Sequence, residues 1–335
     1  MNKLDVEIEK VLSNWNTDHK EKGDGLFKLA KESINDSDIY KCLSLAKIEY
    51  EKARLDGDTK CFCNLADCYY VLAYFSYNSQ HFEEAKNYYL KSVEFHISGS
   101  RGVNYQFKSF YRFYSVSDEK TAGSILSKIM LSSPKKFNDP VDCPIVQENS
   151  SKFFFPDKTI FEGIKVCCFG QENVKSEKDE VPFQIDAKKW AYYADKHQGI
   201  CIRYRFLPFE LEKVLSNNFV FSPVEYKSQF SFERGIVADG LLSKSDHYQD
   251  EDEWRIIWFD RDYKNNKYYD KDRDCLLVPI DICNIISIYL GYRCHDKIVS
   301  TVIDYVKSQK NMKIPIFRIN PDPDNLFRMK ETRIY

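Results

Sequence analysis

Residues 24 to 98 contain no proline and place apolar side chains three and four residues apart, which commits this stretch to amphipathic helices packed through one face. Within it Ala46-x3-Tyr50-x2-Ala53 returns as Ala85-x3-Tyr89-x2-Ser92, an offset of 39 residues. Small residues at such positions let two helices approach closely while the aromatic fills the gap. The second copy follows Tyr69-x2-Leu72-Ala73, a bend near Asn78-Ser79-Gln80 and His81-Phe82-Glu83-Glu84. In the first copy Ala30 and Ser33 stand where larger residues belong. A further helix pair is expected over residues 4 to 20, and a plain helical bundle would show the same spacing.

Ser98-Gly99-Ser100-Arg101-Gly102 interrupts the helical pattern and marks the expected boundary between a helical domain, residues 1–100, and a second domain, residues 105–335. Beyond it short apolar runs replace the long amphipathic ones. Ile164 to Phe169, Gly199 to Tyr204, Trp254 to Phe259, Asp274 to Ile280 and Ile285 to Gly291 read as strands. Helical patterns fall at Thr121 to Met130, Asp186 to Asp195, Pro208 to Ser216 and His295 to Gln309, and charge-rich Lys175 to Glu180 reads as an exposed loop. Strands and helices mixed without strict alternation predict an α+β fold.

Composition excludes several classes. With Lys+Arg 49 against Asp+Glu 51 there is no basic field, so a nucleic-acid target is not supported by net charge, although local contacts are not barred by it. Met1 to Lys10 alternates charged and apolar residues, unlike a secretory signal, and no run approaches the roughly 18 apolar residues of a membrane span. Eleven cysteines without such a signal suit reduced thiols in a cytoplasm. Cys61, Cys63 and Cys68, and the pair Cys167 and Cys168, lack the spacing of a zinc site, so no metal is expected. Neither a Gly-x-Gly-x-x-Gly nor a phosphate loop is present, which removes the usual dinucleotide and triphosphate folds.

Two segments carry chemistry. Lys189-Trp190-Ala191-Tyr192-Tyr193-Ala194-Asp195-Lys196-His197-Gln198-Gly199 crowds aromatic side chains beside a histidine and a turn glycine. Glu251-Asp252-Glu253-Trp254-Arg255 places two carboxylates and a guanidinium at alternate positions, roughly 6.5 to 7 Å apart along a strand. Each has an ordinary structural reading as well. Trp190 and Tyr193 are at helical spacing and suit a core, His197 before Gly199 suits a helix end, Glu-x-Glu-x-Arg suits a solvated strand face, and Asn138-Asp139-Pro140 suits a turn.

Four segments in order resemble the domain of unknown function catalogued as DUF 2971. They are Phe110 to Tyr114 with the following helix and Leu131 to Pro140; Val166 to Phe169 leading to Trp190-x2-Tyr193-Ala194-x2-His197-x-Gly199; Lys244 through Tyr248 to Glu251-x-Glu253-x-Arg255; and Ile285 to Gly291. The resemblance covers roughly residues 105 to 310. Gly170 replaces the usual small hydroxyl residue, and Tyr248 replaces a Trp. The motif order is in turn similar to that of ADP-ribosyltransferase-like domains, and residues 24 to 98 resemble degenerate tetratricopeptide repeats.

The resemblance implies NAD as substrate and cleavage of its nicotinamide glycosidic bond. A carboxylate near the ribose would stabilise the oxocarbenium-like transition state. Glu253 takes that role first and Glu251 second; Tyr111 and Arg112 would hold the dinucleotide, Trp190 and Tyr193 would wall the nicotinamide, and His197 and Arg255 would complete the binding set. The repeat-like helices would recognise a protein partner, an arrangement suited to a bacterial defence effector. The reading requires Arg112, Tyr193 and Glu253 to share one cleft. Two alternatives stand beside it: a non-catalytic nucleotide- or peptide-binding module, and a metal-dependent nuclease using Asp246, Asp250, Glu251, Glu253 and Lys244.

Overall fold

In the computed structural model the residues described are 3–99, 109–137, 139, 142–143, 161–172, 187–205, 214–215, 218–230, 236–309 and 313–335. The expected boundary at 100–102, the loop 175–180, most of the helix 208–216, and Asn138 and Pro140 lie outside them. The chain is a mixed α+β protein in which helices come first and a sheet-rich region follows.

Five helices open the chain: α1 (Lys3–Ser13), α2 (His19–Glu32), α3 (Asp36–Leu55), α4 (Phe62–Asn78) and α5 (Phe82–Gly99). Asp18 starts α2 by accepting from the Glu21 amide, and Asn35 does the same for α3 through the Asp38 amide. Each cap satisfies an amide that the first turn leaves unpaired. The echoed residues fall on α3 and α5, the second members of the packed pairs α2–α3 and α4–α5, and Ala46, Tyr50, Ala53, Ala85, Tyr89 and Ser92 are all buried. Gly23 allows α2 to approach α3: a Cβ there would come within 2.6 Å of the Tyr50 ring. Tyr50 Oη donates to Asp24 at 2.7 Å, and Asn64 Nδ2 donates to the same oxygen at 2.9 Å, pinning α2, α3 and α4 together. Among the described residues no helix is long and apolar enough to cross a membrane.

The sheet begins at β1 (Ser109–Tyr114), followed by α6 (Glu119–Ser127), β2 (Lys128–Ser132), β3 (Ile164–Glu172), α7 (Ala187–Tyr193), β4 (Ile200–Tyr204) and β5 (Phe219–Pro223). A π-helical turn, Ile236–Leu241, and a 3-10 turn, Asp246–Glu251, precede β8 (Glu253–Phe259), with the short pair β6 (Glu225–Lys227) and β7 (Ser243–Ser245) around them. The remainder is β9 (Tyr269–Asp270), β10 (Cys275–Pro279), β11 (Ile285–Leu290), α8 (Asp296–Ser308), β12 (Ile316–Asp322) and β13 (Asn325–Arg333). The main order is β13-β12-β11-β4-β1-β3-β2-β10-β9, and β8 joins β3 to β5. The expected strands at 164–169, 199–204, 254–259, 274–280 and 285–291 correspond to β3, β4, β8, β10 and β11. The helix expected to Met130 stops at Ser127 instead, because Ile129 and Leu131 alternate inward as strand residues against β10.

One edge of β3 is shared. Its residues Gly170 to Glu172 pair with β1, whereas Val166 pairs with β2, so the two strands diverge along Cys167 to Phe169. One sheet face packs on α6 and α8 through Phe110, Tyr114, Ile202, Leu126 and Val302. The other face receives α4 and α5 through Tyr70, Tyr89 and Val93 at one end, and α7 through Trp190 at the other. The gap between those two covers is where the cleft lies.

Candidate functional site

Cross-strand register sets the floor of the cleft. Tyr111 of β1 stands opposite Gly170 of β3, and Gly170 stands opposite Glu253 of β8. Opposed residues project from the same face, so a tyrosine and a glutamate flank a bare glycine backbone. A Cβ on Gly170 would fall 2.2 Å from Tyr111 Cζ, so the ring occupies the space a serine or threonine would need. The cleft encloses about 660 Å³, and Phe113, Phe137, Cys168, Lys189, Tyr193 and Tyr248 are among its walls. That volume is within the usual range for small-molecule sites, about 300–1,000 Å³.

A buried ion network forms one wall. Arg255, without solvent exposure, donates from Nε to Glu253 at 2.7 Å, from Nη2 to both Asp142 oxygens at 2.8 and 2.9 Å, and from Nη1 to the Leu241 carbonyl at 2.8 Å. Lys244 Nζ lies 2.7 Å from Glu251, 3.0 Å from Glu253 and 3.7 Å from Asp142, with the Tyr248 ring centroid at 4.7 Å. Tyr193 Oη donates to the second Glu251 oxygen at 2.5 Å. Burial works against ionising Glu253, yet the adjacent Arg255 and Lys244 charges outweigh it and bring its carboxyl down to about 2. Burial likewise opposes the Lys244 charge, and the Glu253, Asp142 and Glu251 carboxylates overcome it, raising the ammonium above its ordinary range. The wall therefore carries fixed charge at neutral pH.

Arg112 sits where β1 and β3 diverge. Its Nη1 donates to the Cys168 carbonyl at 3.4 Å and contacts the Cys167 sulfur, and its guanidinium lies over the Tyr114 and Phe169 rings. The divergence exposes a strand carbonyl that needs a donor, and the arginine supplies it. Among the described residues no carboxylate pairs with Arg112. It borders the same cleft as Tyr193 and Glu253, while its guanidinium packs with Tyr114 and Phe169 on the sheet face that carries α6 and α8.

Three of the sequence-selected residues are placed differently. Trp190 is fully buried with Tyr111, Ala194, Cys201 and Tyr289, so it fastens α7 to the sheet and does not wall the cleft. His197 also lies off the cleft lining, its ring against Tyr292 at 5.2 Å, and burial with nearby Arg293 lowers its pKa. It does not end a helix through a left-handed Gly199: Asp195, Lys196 and His197 themselves have φ of 44, 53 and 71°. Gly199 is required for close approach, since a Cβ would meet the Tyr114 carbonyl at 2.0 Å. Arg255 acts from behind the wall, holding Glu253 and not reaching the cavity. Glu253 and Arg255 are accordingly buried strand residues rather than a solvated face, whereas Glu251 is half-buried and belongs to the 3-10 turn before β8 instead of alternating with them on the strand.

Asp142 was not singled out by sequence reasoning. The available signal was its place two residues beyond Pro140, at the end of the first motif. Lys189, which donates to Tyr111 Oη at 2.9 Å and to the Asp250 carbonyl at 2.8 Å, also joins the lining. For the nuclease alternative, Asp246 is off the lining and contacts His247 at 3.2 Å, and among the described residues no three His, Cys, Asp or Glu groups are disposed to hold a metal ion. Glu251 and Glu253 are engaged by Lys244 and Arg255, and Asp250 pairs with Lys188 at 3.4 Å.

Fold and site together define an α+β protein with a partly aromatic cleft walled by a buried ion network. No family model, curated protein or solved structure matches this chain.

Proposed function

We propose that the cleft binds NAD and promotes loss of its nicotinamide, as the resemblance to DUF 2971 and to ADP-ribosyltransferase-like domains implies. The observation that supports the reading is that Tyr193 and Glu253 line one cleft, with Arg112 among its bordering residues. Arg112, with no carboxylate partner among the described residues, suits the pyrophosphate. Tyr193 is 39% exposed and offers an aromatic edge beside the Glu251 carboxylate. As the C–N bond breaks, its electrons leave with neutral nicotinamide and the ribosyl ring becomes cationic. The Glu253 carboxylate, with Glu251 beside it, stabilises that charge, and an acceptor or water then forms the new bond at the ribosyl carbon, losing its proton to solvent.

In this reading α1 to α5 form the degenerate repeat domain that docks a protein partner, as a cytoplasmic defence effector would require. The test is nicotinamide release from NAD by the purified protein, with and without cell lysate as a source of acceptor. Release that falls at least about a hundredfold in Glu253→Gln supports it, and no release under either condition sinks it.

One observation favours a second reading. Both Glu253 oxygens already accept from cations, Arg255 on one and Lys244 on the other, which suits a nucleotide-binding module without turnover. Thermal stabilisation by NAD that is indifferent to Glu253→Gln, with no product, would select it.

A further inference from the structure

Asp142 is more than a partner that makes Arg255 tolerable in the core. Among the described residues the ion pairs of this cluster join two cations, Lys244 and Arg255, to three carboxylates, Asp142, Glu251 and Glu253, a net charge of -1 for those groups. Asp142 takes both of its contacts with Arg255 on Nη2, leaving Nε aimed at Glu253. It is itself buried, and Lys244 lies between it and Glu253. Without the Asp142 charge the cluster would be neutral, and the Arg255 field would act undivided on Glu253. Its geometry is therefore suited to setting the sign of this wall while fixing the guanidinium.

We infer that Asp142 is a positioning and specificity-determining residue that keeps the Glu251–Glu253 wall net negative and so selects a cationic ligand group over an anionic one. The inference rests on the NAD reading only in taking the nicotinamide pyridinium as that group. An anionic substituent at the same place would face the unbalanced carboxylate, whereas a planar cation would not.

Cys168 provides a reporter that needs no NAD. Its thiol lines the cleft, is half-buried, and lies against Glu253, while Cys63 and Cys283 are exposed references elsewhere in the chain. Iodoacetate and iodoacetamide alkylate a thiolate through the same displacement of iodide and differ in charge, so their rate ratio at one cysteine reads local potential and cancels accessibility and thiol acidity. Each rate is followed by mass spectrometry at one fixed pH. In the wild-type protein the ratio at Cys168 should be lower than at Cys63 and Cys283. Asp142→Asn should raise it by about three- to tenfold, and Asp142→Glu should return it toward wild type.

A second readout is binding of the 1-methylnicotinamide cation, methylated on the ring nitrogen, against neutral nicotinamide. Asp142→Asn should weaken the former by a similar factor and the latter far less, a split that a purely structural role would not produce. If Asp142→Asn does not fold, the wild-type ratio decides: a Cys168 value equal to or above the references overturns the inference. So does an unchanged ratio in a folded variant. A shifted ratio without any nicotinamide release would instead retain the charge role and remove the NAD reading.

Discussion

Replacing Glu253 by glutamine should flatten the dependence of stability on pH. The folded-state carboxyl lies at about 2 against an ordinary value of 4.5. A depressed carboxylate contributes stability that is present in full above its unfolded value and is lost as pH falls through 4.5 toward 2. The gap corresponds to about 3 kcal/mol, and Glu253 is only 6% exposed, so little is lost to solvent screening. At neutral pH a glutamine can still accept from Arg255 through its amide oxygen. Its NH₂ then faces Lys244, a donor against a donor where the wild-type contact is 3.0 Å. Breaking one member out of a buried ion network typically costs about 3–5 kcal/mol, and the retained Lys244–Glu251 pair limits the loss here to about 3 kcal/mol.

The two proteins should therefore differ by about 3 kcal/mol at pH 7, by roughly half of that at pH 3, and converge only as pH approaches 2, the wild type having the steeper curve by up to about 1.4 kcal/mol per pH unit. Urea titrations followed by tryptophan fluorescence measure this directly. Trp190, Trp254 and Trp258 are buried in the sheet region, whereas Trp15 is exposed in the linker between α1 and α2. A Trp15→Phe background restricts the signal to the sheet. Parallel curves from pH 7 to 3 would mean that Glu253 is not held ionised by its neighbours.

Gly170→Ala should drive the Tyr111 ring from its seat and cost about 1–3 kcal/mol, read as a lowered Tm with altered near-UV dichroism; an unchanged Tm would contradict the packing of this pair. Gly199→Ala meets backbone at 2.0 Å and cannot be relieved by a rotamer, so it should abolish accumulation of folded protein; wild-type yield and melting would refute the wedge. Tyr193→Phe removes one partly exposed hydrogen bond to Glu251 and should cost no more than about 1 kcal/mol while lowering nicotinamide release about tenfold; equal release in the variant and the wild type would remove Tyr193 from the site.

The sequence made the architecture readable where periodicity was strong. The echoed Ala46, Tyr50, Ala53, Ala85, Tyr89 and Ser92 are all buried, and five apolar runs became strands because β-branched residues have few alternatives once both faces are covered. Local pattern misled near Met130, where a helical spacing overlaps an inward and outward alternation. It could not separate Trp190 from Tyr193 either, since both have aromatic side chains three residues apart on one short helix. Tertiary placement alone puts the first in the core and the second at the rim. Asp142 and Arg255 were beyond reach for another reason. Their pairing spans 113 residues, and a buried guanidinium reads in one dimension like any exposed strand arginine.

A crystal structure with a non-cleavable NAD analogue, in which a methylene replaces the ribosyl ring oxygen, tests the site most directly. The nicotinamide riboside should lie within hydrogen-bond reach of Glu251 or Glu253, with the phosphates toward Arg112. An analogue bound away from these residues, or not bound at millimolar concentration, would contradict the assignment of this cleft to NAD.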